Sequence, residues 1–140
     1  MSLIQSTLDA AGANSASFEF LLDSGCTETL GNLADIEEID PHGQLPQAGV
    51  VRAITSNGVL VNRPYYWVDL RINAPAAQGG GNITSWRRVP YKVAPNNIQR
   101  LSGLYPFQYT YLAKGPGEIM KMGNQKTRVA AGMVAGQGDI

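Results

Sequence analysis

Apolar and polar positions alternate in short runs along most of this chain, a period of two that predicts strands. In "FEFLLDSG", Phe18, Phe20 and Leu22 alternate with Glu19, Leu21 and Asp23, so a strand with one richly apolar face runs into an Asp-Ser-Gly turn. In "VVRAITSNGVLVN", two β-branched runs flank Asn57-Gly58, a dipeptide that tolerates positive φ at both turn centres and predicts a hairpin. "YYWVDLRI" continues that hairpin, with Tyr66, Val68, Leu70 and Ile72 on one face and Tyr65, Trp67, Asp69 and Arg71 on the other. "TSWRRVPYKV" predicts another strand, in which Pro90 implies an edge or a bulge. "YTYLA" predicts a further short strand, closed by "KGPG".

Helical signals are few. "NLADIEEID" predicts a short helix capped by Asn32, with Asp35 at its third position and Pro41 beyond its end. One helical turn is expected to start near Pro106. "DAAGANSAS" and "NAPAAQGGGN" read as loops and "APNN" as a turn, while Glu118 to Ile140 holds one or two weak strands and an Ala/Gly-rich tail. With no internal repeat and no helix beyond about three turns, the pattern predicts an all-β, barrel-like domain with one or two short helices.

The 140 residues fit one domain, and 44% hydrophobic with 16% charged residues supply a core. No run is long and apolar enough to span a membrane, and the first residues lack the pattern of a secretory signal. Cys26 is the lone cysteine, so no intrachain disulfide forms, which favours an intracellular setting. With that cysteine and the single histidine, His42 in the turn "DPHG", no zinc site and no histidine-based nucleophile mechanism is expected.

Charge is balanced overall but unevenly placed. Residues 1–50 hold eight acids and no Lys or Arg; residues 51–140 hold all eleven bases and only Asp69, Glu118 and Asp139 as acids. The preferred reading is that the two parts attract each other, within a chain or across a dimer. A basic face for nucleic acid, from Arg87, Arg88, Arg100, Lys121, Lys126 and Arg128, ranks lower, because these bases are dispersed and no stacking motif accompanies them.

Asp23-Ser24-Gly25 is the piece with chemistry in it. Two carboxylates about 3 Å apart cannot both ionise, so they share a proton and act as an acid and a base toward water. The hydroxyl of Ser24 suits the turn, and Gly25 lets the backbone approach closely. Alone the tripeptide also reads as an ordinary turn closing a strand. Its context adds a strand that would bury the turn, a long hairpin at 50–72 that would fold over a cleft, and the apolar-Gly element Leu101-Ser102-Gly103.

In that order, "FLLDSGCT", "VVRAITSNGVLVNRPYYWVDLRI" and "RLSGLY" resemble a retropepsin-like aspartic protease of retroviral or retrotransposon type, fungal transposon-derived versions most of all. The likeness spans about Ser17 to Ala113, and its specific part is "LLDSGCT". It implies a small closed barrel at 18–113, preceded by an N-terminal strand or linker at 1–17 and followed by C-terminal strands and a tail at 114–140. It also implies a homodimer in which two Asp23 carboxylates meet under paired flaps, with Ser24, Gly25, Cys26 and Thr27 forming the active-site loop. Ile54, Thr55, Ser56, Asn57 and Gly58 would be the flap, and Leu101, Ser102 and Gly103 would pack behind the loop. The substrate implied is a peptide or polyprotein, with no cofactor, in the cytoplasm or a virus-like particle.

The chain departs from that pattern at Ser102, where a second apolar residue is usual, at Leu104, where a polar residue is usual, and at the flap, where Gly58 replaces a run of glycines. No other Asp is followed by Ser/Thr-Gly, so the dyad requires a second copy. Cys26 reads as a small core residue before a redox switch. Trp67 and Trp86 line a groove, or cover barrel ends or a dimer contact. Glu37 and Glu38 read as a solvated helix face, and Tyr105, Tyr109 and Tyr111 as late-strand packing. The alternative function is a non-enzymatic β-barrel binding or assembly module, for example a viral or phage structural subunit.

Overall fold

The computed structural model describes residues 3–10, 14–23, 25, 27–55, 57–74, 81–95, 97–113, 116 and 121–123. Within them the chain is mostly β. Strands β1 (Leu3–Asp9), β2 (Ser15–Leu21), β3 (Thr29–Asn32), β4 (Gly49–Ile54), β5 (Leu60–Asn73) and β6 (Arg87–Ala94) make one mixed sheet. β7 (Tyr111–Ala113) and β8 (Lys121–Gly123) pair separately, and the helices are α1 (Leu33–Ile39) and α2 (Tyr105–Tyr109). No helix among the described residues is long and apolar enough to cross a membrane.

The sheet order is β2-β1-β5-β6-β3, with β4 on β5. β5 is long enough to serve three neighbours: Leu60 to Tyr65 pair with β4, Tyr65 to Leu70 with β6, and Asp69 to Asn73 with β1. Its alternation is the one expected. Val68, Leu70 and Ile72 are buried, whereas Tyr65, Trp67, Asp69 and Arg71 keep partial or full exposure. These core residues meet Ile4 and Leu8 of β1, Phe18 and Phe20 of β2, Val89, Tyr91 and Val93 of β6, and Ile36 and Ile39 of α1. Phe20 and Tyr91 touch edge to face, with centroids 6.2 Å apart.

Several expectations change. Of the strand or linker expected at 1–17, Leu3–Asp9 forms strand β1 between β2 and β5, and β2 starts at Ser15, inside the loop expected from "DAAGANSAS", because Ser15 pairs with Asp9. The hairpin does not close on a two-residue turn. Pairing ends at Ile54 opposite Leu60, leaving a five-residue loop in which the Thr55 N–H donates to the Val59 carbonyl and Gly58 takes φ +83°. Tyr105 and Tyr109 belong to α2, not to a strand, since Pro106 supplies the preset φ of a first helical turn. Tyr105 is buried there, and Tyr109 and Tyr111 are exposed. Pro90 does sit at an edge: it faces Trp67 of β5, while β3 starts pairing with β6 only at Tyr91.

The hydrogen-bond ladders do not close a barrel, since β2 and β3 remain the sheet's ends. The segment around Leu101 joins them instead. Leu21 N–H donates to the Arg100 carbonyl (2.8 Å) and Ser102 N–H to the Leu21 carbonyl (2.9 Å). Leu101 and Leu30 exchange both of their backbone bonds, at 2.9 and 3.0 Å. One residue, Leu101, thus bridges the end of β2 and the start of β3.

Candidate active site

β2 stops pairing with β1 at Leu21, and two residues later the chain turns at Asp23. The Gly25 N–H donates to Asp23 Oδ1 (2.9 Å), which tightens that turn. The Asp23 N–H donates to the Ser102 hydroxyl (3.1 Å) across the sheet ends. The carboxylate is half-buried, not fully desolvated, because it lies at the rim where the strand ends. Ser24 and Cys26 fall outside the described residues, and so do the readings made of them; Thr27 is exposed.

Leu101, Ser102 and Gly103 lie behind this loop. Gly103 takes φ +70°, and a Cβ there would stand 2.6 Å from the Glu28 carbonyl carbon, so both conformation and space demand glycine. Leu104 N–H reaches the Thr27 carbonyl (3.3 Å), and the Thr29 hydroxyl donates to the Ser102 carbonyl (3.0 Å). The segment therefore grips both sides of the loop that carries Asp23.

A second polar cluster supports the same segment. Asp35 is almost fully buried on the inward face of α1, beside Ile36. It accepts from Arg100 Nε and Nη2, each at 2.8 Å, from the Tyr91 hydroxyl at 2.5 Å, and from the Asn32 N–H at 3.1 Å. Burial pushes the Asp35 carboxyl up, but the bonds from Arg100, Tyr91 and Asn32, with the arginine's charge, outweigh it and hold it below the usual range. Burial, then the Asp35 charge, pushes the Tyr91 phenol far up, so it stays a donor.

Gly31 makes room for that phenol, since a Cβ there would stand 1.8 Å from its oxygen. The Asn32 amide faces Ile98, accepting its N–H at 2.8 Å. The Arg100 guanidinium also covers the Phe18 ring at 4.6 Å. The sequence pattern named Arg100 only as part of a lower-ranked basic face and gave Asp35 only its capping place, without pairing the two. The available signal was periodicity: Asp35, Ile36 and Ile39 share one helical face, so a buried carboxylate there needed a cation.

The charge imbalance resolves as attraction between the two halves: Lys92–Glu28 (3.3 Å) joins Arg100–Asp35 in crossing between them. Of the other proposed basic-face residues, Arg87 lies over Tyr109 at 4.8 Å. Lys126 and Arg128 fall outside the described residues.

The expected flap is the β4–β5 hairpin. At its tip the Thr55 hydroxyl bonds Asn57 Oδ1 and accepts the Val59 N–H (3.2 Å); Ser56 lies outside the described residues. Ile54 is 72% exposed and Leu60, directly opposite, 60%. Along one arm a cleft of about 420 Å³ is lined by Glu28, Val50, Val51, Arg52, Tyr65, Trp67 and Pro90. Trp67 is thus a groove residue, whereas the Trp86 ring carries Arg71 at 4.4 Å. Glu37, Glu38 and His42 are exposed. Among the described residues no three His, Cys, Asp or Glu side chains come close enough to hold a metal ion.

Compared with models of protein families the chain matches none, and no curated protein matches it.

Proposed function

We propose that this chain is a retropepsin-like aspartic endopeptidase that works as a homodimer, with one Asp23 from each copy. The observation that carries the reading is the Asp23 turn, held against the segment that bridges β2 and β3. That arrangement presents a carboxylate at the sheet's rim, where a two-fold mate has access to it. The projecting hairpin with its apolar tip supports the reading further, as does the cleft from Glu28 to Trp67, which suits an extended peptide.

In the dimer one carboxylate takes a proton from water, and the oxygen so freed attacks the peptide carbonyl carbon. The other, protonated, carboxyl gives its proton to the carbonyl oxygen. Collapse of the resulting diol breaks the C–N bond, and a proton passes to the leaving amine. The pairing of flaps belongs to this same proposal.

The test is Asp23→Asn, with peptide cleavage, thermal melting and mixing measured together. Cleavage falls by at least about 10²–10⁴-fold, while melting stays within a few degrees. Mixing the variant into wild type lowers activity as the square of the wild-type fraction, because only pairs with two Asp23 residues work. Undiminished cleavage by the variant rejects the protease; a decline linear in the fraction rejects the shared dyad.

A further inference from the structure

We infer that the Ser102 hydroxyl is a positioning group for Asp23, a role that rests on reading Asp23 as the reacting carboxylate. Ser102 is completely buried, and a buried hydroxyl needs partners. It donates to the Gly103 carbonyl at 2.9 Å. Its one proton is therefore engaged, and toward Asp23 it acts as an acceptor. The Asp23 N–H meets it at 3.1 Å, beyond the point where the β2 ladder ends at Leu21.

Ser102 is itself well anchored. Its N–H is bound to the Leu21 carbonyl at 2.9 Å, and its carbonyl accepts the Thr29 hydroxyl at 3.0 Å. The hydroxyl is thus a fixed post, tied to the end of β2 and the start of β3, against which the Asp23 main chain is set. An aliphatic side chain in this place would fill the volume and leave the Asp23 N–H without that acceptor. The departure at residue 102 from the apolar-apolar-Gly pattern thereby acquires a purpose. It steers the direction in which the carboxylate leaves the turn, and an error of about 1 Å there costs on the order of 10²-fold in rate.

Thr and Val have the same shape and differ by a hydroxyl, so Ser102→Thr and Ser102→Val separate the bond from the packing. Ser102→Ala, which adds no atoms, serves where the larger pair does not fold. The measurements are melting temperature, kcat and KM for peptide cleavage, the pH–rate profile, and hydrogen exchange of the Asp23 amide by NMR.

The threonine variant is expected within about threefold of wild-type kcat. The valine variant, and likewise alanine, loses about 10–100-fold in kcat with KM little changed. Its pH–rate limbs are displaced and its Asp23 amide exchanges faster, while it melts alongside the threonine variant. Equal kcat, equal pH profiles and equal Asp23 protection in the threonine and valine variants overturn the inference alone. Wild-type cleavage that is indifferent to Asp23→Asn overturns it together with the protease reading.

Discussion

Asp35 and Arg100 form a two-pronged ion pair, 2.8 Å on each arm, that ties helix α1 to the residue just before Leu101. The Asp35 side chain is nearly inaccessible, whereas the arginine keeps 28% of its side-chain surface exposed. Cation and anion thus differ in how much water each would regain if the pair were broken.

That asymmetry decides what substitution does. Asp35→Asn is expected to destabilise the fold by about 3 kcal/mol, the lower end for breaking a buried pair, because the remaining guanidinium still reaches solvent. Arg100→Leu leaves a buried carboxylate with the Tyr91 hydroxyl and the Asn32 N–H as donors but no cation, so it becomes protonated at a higher pH than in wild type. Denaturant unfolding of both variants, with carboxyl titration of the second by NMR, checks this. Wild-type stability in Asp35→Asn would show that Tyr91 and Asn32 hold α1 without the carboxylate.

The same carboxyl sets a pH dependence. Its folded-state pKa lies below its unfolded value of about 3.9. Its contribution to stability is therefore complete above that value and is lost as pH falls through the folded-state pKa. Unfolding free energy measured between about pH 6 and 2 should fall at the acid end. The fall should be shallower in Asp35→Asn, and parallel curves for the two proteins would contradict the assignment.

Two glycines separate strain from collision. Gly58 has φ +83° and no heavy atom within 4 Å of the place a Cβ would take, whereas Gly103 has φ +70° and backbone at 2.6 Å. Gly58→Ala is expected to cost about 1–2 kcal/mol, the left-handed backbone penalty. Gly103→Ala adds displacement of the Glu28 backbone and costs more, about 3 kcal/mol or above. Equal losses in chemical denaturation would mean that the Leu101–Gly103 segment moves away from Glu28 without penalty.

The hairpin tip has exposed apolar side chains that the fold does not cover. Leu60→Ser and Ile54→Ser are expected to leave stability within about 0.5 kcal/mol, as surface changes do. If the tip closes over a peptide, both raise KM several-fold. A large drop in melting temperature would place these residues in a packed contact instead.

Strands β2, β4, β5 and β6 were readable because their side chains alternate, whereas β3, four residues long, carries too short a pattern. Phe18 and Phe20, or Val68, Leu70 and Ile72, face one way by backbone geometry alone, and capping chemistry marked Asn32 and Asp35 in the same local manner. Asp23-Ser24-Gly25 stood out for its residue types at the end of such a strand. Tertiary structure decided the rest. That Leu101 joins Leu21 to Leu30, that Ser102 meets Asp23 and that Arg100 reaches Asp35 are contacts across 65 to 80 residues or across two strand ends. No local period encodes such contacts, because which edge a chain segment returns to depends on how every intervening strand has already packed.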